Sequence, residues 1–197
     1  ISYIDNSKID IDKLIQDIKA PDFPTGGYVS GEIEQMYKQG KGHLTIEGRY
    51  KIEESKKKSG KTKIVITEIP YQVNKSSLIE EIANLVKNKK LPDVSDIRDE
   101  SARGNVRVVI ELRKDSNPRF SINRIVKFTK FRTRFDAVLV ALVNGQPRQL
   151  NLKQIIETFV NHRRKVVRKR TQFDLNKAEK RLHIVKGLLV AQKNINE

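Results

Sequence analysis

Asp93, Asp96, Asp99 and Glu100 form an acidic set with hard oxygen donors of the kind that hold Mg²⁺. Arg98 and Arg103 lie among them, and local ion pairing is the reading this mixture favours. His43, His162 and His183 have no metal-type spacing and read as structural residues or phosphate contacts. Gly40-Lys41-Gly42 is too short for a phosphate-cradling loop and lacks the following Lys-Ser/Thr. It reads as a tight turn whose amides and lysine reach a phosphate. Tyr71, in EIPYQVN, carries a phenol that could attack phosphorus. It follows Pro70 at the end of an expected strand, where packing is the simpler account. No catalytic residue and no metal site is assigned. Tyr28-Val29, between Gly-Gly and Ser-Gly, is an apolar pair that could wedge into a minor groove and kink a duplex. An ordinary short strand would use the same residues.

Charge tells more than any of these motifs. Lys and Arg number 40 against 24 Asp and Glu, a net of +16. Residues 38–63 carry a net +6 and residues 161–193 a net +9, so two segments hold nearly all of the excess. A chain this basic attracts a polyanion, and nucleic acid leads because the charge is not confined to one amphipathic helix. The 163–170 stretch is rich in arginine, which favours bidentate contact with phosphate. Few aromatics and no zinc-finger spacing argue against base reading or a stacking platform, leaving duplex binding through the backbone.

These groups need a scaffold. Ile11, Leu14, Ile15 and Ile18 have helical spacing behind Asp10, and Pro21 to Gly27 then reads as a rigid connector. A helix is expected over 32–39 and a strand over 43–54. A hairpin loop at 55–61 follows, with a returning strand over 62–69. Asn74 or Ser76 caps a helix with Leu78, Ile79, Ile82, Leu85 and Val86 inward. Strands over 94–97 and 106–112 precede a helix over 118–131 with Ile122, Ile125, Val126 and Phe128 inward. Residues 137–143 read as a strand, with Asn144-Gly145 as a hairpin turn. From Leu152 an unbroken helical pattern runs without proline to the last residue, long enough for an arm or coiled coil. The expected fold class is α+β, a mixed or antiparallel sheet with packed helices, followed by a long coiled-coil helix.

The absence of cysteine excludes disulfide scaffolds, thiolate metal sites and thiol chemistry. No apolar run approaches the roughly 18–20 residues that span a bilayer, so no membrane partner is expected. The chain opens at Ile1 without a signal-like segment and stops inside a helical pattern, so it is read as a piece of a longer polypeptide.

Several stretches together resemble one family. PDFPTGG (21–27), YKQGKG (37–42), TEIPYQVNKSSLIEEI (67–82), IRDES (97–101) and VRVVIEL (106–112) are similar to the breakage–reunion subunit of bacterial type IIA DNA topoisomerases. So are LVNGQPRQLNLKQII (142–156) and NHRRKVVRKRTQFDLNKAEKRLHIVKGLLVA (161–191). The match runs in order over nearly the whole chain from Pro21. Within the family it looks nearer the gyrase branch, with topoisomerase IV a close second.

The resemblance implies a division into a connector (1–20), an α+β tower domain (21–150) and the start of a coiled-coil arm (151–197). It implies an ATP-driven enzyme that cuts one duplex, passes another through and reseals the first. The family's catalytic tyrosine and its supporting arginine lie in a winged-helix domain on the N-terminal side of the PDFPTGG segment, so no residue here is expected to cleave DNA. No cofactor is expected on this chain. Mg²⁺ and ATP would act through a gyrase B-type ATPase subunit, beside a homodimer of the full-length A subunit in an assembly of two A and two B chains. The setting would be a bacterial cytoplasm or a bacterium-derived organelle.

What carries over is the shaping of double-stranded DNA. The family inserts an isoleucine after its FPT segment, and Val29 stands at the matching place beside Tyr28. Lys41, His43, Arg49 and Lys75 then read as phosphate contacts. The chain is shorter than many relatives between Gly31 and Ile33. Two rival readings use the same charge: a stand-alone module for structured RNA, and a coiled-coil protein whose charge serves solubility alone.

Overall fold

The computed structural model describes residues 1–54, 61–102, 104–114 and 116–195. Residues 55–60 of the expected hairpin loop, and Arg103, lie outside the described residues. Contacts divide the chain into two units, Ile15–Leu139 and a second made of Ile1–Leu14 with Val140–Glu197. The fold class is the expected one: α+β with antiparallel sheets and a long C-terminal helix.

The larger unit contains two sheets. In chain order it runs β1 (Tyr28–Gly31), α3 (Ile33–Gln39), β2 (Lys41–Glu47), β3 (Arg49–Glu53), β4 (Lys63–Glu68) and α4 (Lys75–Lys87). It continues with β5 (Val94–Asp99), β6 (Val108–Leu112), α5 (Pro118–Phe128) and β7 (Arg132–Val138). Before these come two short helices, α1 (Ser2–Asp5) and α2 (Ile11–Asp17). One sheet has the order β1-β2-β7 and the other β3-β4-β6-β5. Every pairing in both is antiparallel.

The expected single strand over 43–54 is corrected to two strands, β2 and β3, in different sheets. Gly48 is the crossing point. Its amide donates to the Phe131 carbonyl at 2.9 Å, and a Cβ there would stand 2.6 Å from the Glu68 carbonyl oxygen and run into the Phe131 ring. The Gly40–Gly42 turn is likewise corrected. Gly40 alone, at φ +76°, caps α3 in the left-handed region, and Lys41 already begins β2.

The main core lies where α4 and α5 cover one face of the four-stranded sheet. Ile64 and Ile66 on β4 and Val108 and Ile110 on β6 meet Leu78, Ile82 and Leu85 from α4 and Ile122 and Ile125 from α5. Asn74 caps α4 by accepting from the Ser77 amide at 3.2 Å, and Asn117 caps α5 from the Arg119 amide at 3.0 Å. Phe128 was expected inward but is 48% exposed. The helix ends there because Thr129 turns extended, with its hydroxyl donating to the Ile125 carbonyl at 2.7 Å. Phe131 takes the buried place instead.

In the second unit, β8 (Val140–Val143) and β9 (Gln146–Gln149) form a hairpin, so the strand expected over 137–143 divides between β7 and β8. Asn144 and Gly145 make the expected turn, both at positive φ, 53° and 82°. Helix α6 (Leu152–Asn194) has 43 residues, about 65 Å at 1.5 Å per residue. A reciprocal box starts it: Asn151 accepts from the Gln154 amide at 2.8 Å, and Gln154 accepts from the Asn151 amide at 3.0 Å. Phe159, Phe173, Leu182, Leu188 and Leu189 along it are exposed. None of the described helices is long and apolar enough to cross a membrane.

Candidate nucleic-acid interface

Strand alternation sorts the three-stranded sheet into two faces. Val29, Leu44, Ile46, Phe135 and Ala137 share one, where Leu44 and Ile46 are buried and α3 packs with Met36. Gly42 allows that approach, since a Cβ there would lie 2.8 Å from the Met36 Cβ. The opposite face is polar. Register places Tyr28 opposite Glu47 and Glu47 opposite Arg132, then Thr45 opposite Arg134, His43 opposite Asp136 and Lys41 opposite Val138.

The charged groups on that face interlock. Arg134 donates to Asp136 at 2.8 Å, and its other nitrogen stands 2.7 Å from His43 Nδ1. His43 Nδ1 is 2.6 Å from the same Asp136 oxygen. Hydrogen bonds first from Arg134 and then from His43 hold the Asp136 carboxyl below its ordinary pKa. Arg132 lies on Glu47 at 2.6 Å. Lys41 is exposed and has no carboxylate within ion-pair distance among the described residues. Arg132 and Arg134 escaped the sequence reading. Their signal was the alternation Arg-Thr-Arg-Phe, which places both arginines on one strand face.

At the sheet's edge the pair Tyr28-Val29 splits. Tyr28 is 60% exposed, with the Arg49 guanidinium 4.7 Å from its ring centre. Val29 turns to the other face opposite Ile46, half-buried, and borders an open cleft of about 510 Å³ lined also by Ile18, Phe23 and Arg49. Glu68 organises this corner: it accepts the Gly27 amide at 2.5 Å and pairs with Arg49 at 3.2 Å. Phe23, Tyr71 and Phe135 form an aromatic cluster beneath it with centroids 5.2 to 6.1 Å apart, which accounts for Tyr71 by packing.

Lys75 is elsewhere. At the first turn of α4 it pairs with Asp99 at 2.7 Å. Hydrogen bonds from Lys75 and then Ser101 pull the Asp99 carboxyl down to about 2. The neighbouring acids are also spoken for. Arg98 reaches Glu111 at 2.5 Å, Asp96 at 3.3 Å and Glu100 at 3.6 Å. Arg107 joins Glu100 at 3.1 Å and Glu53 at 3.4 Å. Glu111 is held below its usual pKa by Arg98 and then Lys63, while Arg98 is raised by Glu111 and Arg107 by Glu53 and then Glu100. This is a surface ion-pair ladder, and among the described residues no three His, Cys, Asp or Glu side chains gather as a metal site.

The model of the DNA gyrase/topoisomerase IV family, for the A subunit, matches residues 1–197. The chain belongs to that family. It is 45% identical over 196 residues to the A subunit of DNA gyrase from Clostridium acetobutylicum and 46% identical over 198 residues to that from Pseudomonas aeruginosa. The corresponding gyrase chain of Buchnera aphidicola is 42% identical over 198 residues. These alignments cover 98–100% of this chain but only 22–23% of each relative, so it spans about a quarter of their length.

Proposed function

We propose that this chain is the DNA-holding and DNA-bending part of the breakage–reunion subunit of an ATP-dependent type IIA topoisomerase of the gyrase branch, which supercoils DNA negatively by double-strand passage. The observation that carries the reading is the exposed sheet face that gathers Lys41, His43, Arg132 and Arg134 beside Tyr28. Phosphate contacts set register and orientation on a duplex without reading bases, and this face offers cations with no base-reading helix. Tyr28 and Val29 form the apolar element at its edge, Tyr28 outermost and Val29 beside the cleft. Bending a duplex costs several kcal/mol that such contacts must offset. Arg49 supports the ring of Tyr28, and Lys75, tied to Asp99 at the first turn of α4, contributes a phosphate contact away from that face.

The chain by itself is inactive in cleavage. Magnesium and ATP act through a B-type ATPase subunit, within an assembly of two A and two B subunits in a bacterial cytoplasm or a bacterium-derived organelle.

The test uses the full-length protein in complex with its ATPase partner and an end-labelled duplex of about 30 base pairs, read by energy transfer across a salt series. Affinity should fall steeply with salt, and the duplex ends should draw together on binding. Tyr28→Ala and Val29→Gly should reduce the bending and the supercoiling rate. A bend and a rate unchanged in both variants would remove the wedge, and a salt-insensitive affinity would remove the holding face.

A further inference from the structure

Residues 117–135 contain six Lys and Arg and no acid, a run hidden in the overall count by acids elsewhere. Helix α5 turns Ser121, Ile122 and Ile125 into the core. Its outer face carries Phe120, Arg124, Lys127 and Phe128, at the three- and four-residue spacings that make neighbours on a helix. Both phenylalanines are 48% exposed, and each has a cation over its ring. The Arg124 guanidinium is 4.3 Å from the Phe120 centroid, and Lys90 and Lys127 are 5.6 and 5.5 Å from that of Phe128.

Lys90 follows the end of α4, and its carbonyl accepts from Arg124. That end is basic throughout: Lys87, Lys89 and Lys90 are all exposed. Lys89 holds the left-handed position, φ +58°, that usually falls to glycine after a helix. On the four-stranded sheet's other face, Lys61, Lys63 and Arg98 share Glu111. Here, by contrast, Lys87, Lys89, Lys90, Arg119, Arg124 and Lys127 have no carboxylate partner among the described residues, and Glu81 pairs only with Lys130.

We propose that this patch is a second nucleic-acid contact, which grips the backbone of a stretch of duplex outside the one held by the three-stranded sheet. The inference rests on the DNA-holding reading above and adds a surface to it. Its chemistry selects the ligand. Unpaired cations spread over about 12 Å of helix face a duplex that carries about one phosphate charge per 1.7 Å. The aromatic faces are already covered by cations, so they stiffen the long basic side chains and do not stack on bases.

The test is the full-length protein with its ATPase partner carrying Arg119→Gln, Lys127→Gln and Lys90→Gln together, and Lys127→Gln alone as the milder variant. Duplexes of about 30 and about 120 base pairs are titrated across a salt series. Three lost contacts should weaken the long duplex about tenfold and lower its salt slope by about 2.7, and the single change should lower it by about 0.9. Affinity and bend of the short duplex should stay as in the unaltered protein. An unchanged long-duplex slope overturns the proposal, as does equal weakening of both lengths. Loss of the ATPase partner with DNA binding intact also overturns it, by making the patch a protein contact. Failure of the unaltered protein to bind the short duplex would instead refute the DNA-holding reading itself.

Discussion

Gly27→Ala tests how the Tyr28 corner is held. Gly27 has φ +98°, outside the range an L side chain adopts comfortably, and a Cβ there would lie 2.7 Å from the Glu47 carbonyl oxygen. The obstacle is main chain in the centre of a sheet, so it cannot swing aside. The backbone term is about 1–2 kcal/mol and the overpacking term about 1–3 kcal/mol, giving about 2–5 kcal/mol together. β1 has only four registered pairs and forms the sheet's edge, so the strain is relieved by its release and not by unfolding of the core. Native-state hydrogen exchange should show β1 amides opening at least about 30-fold more often, the equivalent of about 2 kcal/mol. Amides of β4 and β6 should keep their protection. Gly145→Ala separates the two terms: φ is +82° but nothing lies within 4 Å of the added Cβ, so only the backbone term applies. Protection of β1 within threefold of the unaltered protein would refute the steric argument.

Thr129→Val removes a hydroxyl that donates to the Ile125 carbonyl and accepts from the Phe131 amide at 3.2 Å; it should cost about 1–3 kcal/mol in urea unfolding. Asn151→Ala deletes the α6 box and should cost that helix about 1 kcal/mol, seen as faster exchange in its first turn. Asp99, lowered to about 2, and Glu111, also lowered, give stability that is fully present above their unfolded pKa values. That stability is lost as pH falls through about 4 toward 2. Asp99 is open to water and contributes under about 1 kcal/mol, and Lys75→Met should flatten the acid limb of a pH–stability curve.

The sequence made local chemistry readable and left long-range choices dark. Asn144-Gly145 and the Asn74 cap were legible because a few adjacent residues determine them. The apolar face of α4 was legible from its period. The break at Gly48 was not, because the alternation continues through it and only the distant Phe131 shows why the strand must change sheets. Phe128 misled because an apolar residue near a helix end fits the inward stripe, while Thr129 had already ended the helix. At the candidate interface, Lys41, His43 and Tyr28 were found from composition and resemblance. Arg132 and Arg134 join them only through the pairing of β2 with β7, across some ninety residues of chain. Averaging charge over long windows hid both arginines and the α5 patch.

The meeting of Gly48 with Phe131 has a mechanical consequence. At Gly48 the chain leaves the three-stranded sheet for the four-stranded one, and just after Phe131 it enters the three-stranded sheet again as β7. Both passages are joined by one hydrogen bond, with a fully buried ring against a position too crowded for a methyl group. A pull on the polar face therefore reaches the second sheet along covalent backbone at this joint, alongside the Glu68–Gly27 hydrogen bond and the Phe23–Tyr71–Phe135 packing. The joint ties the orientation of one sheet to that of the other through main chain.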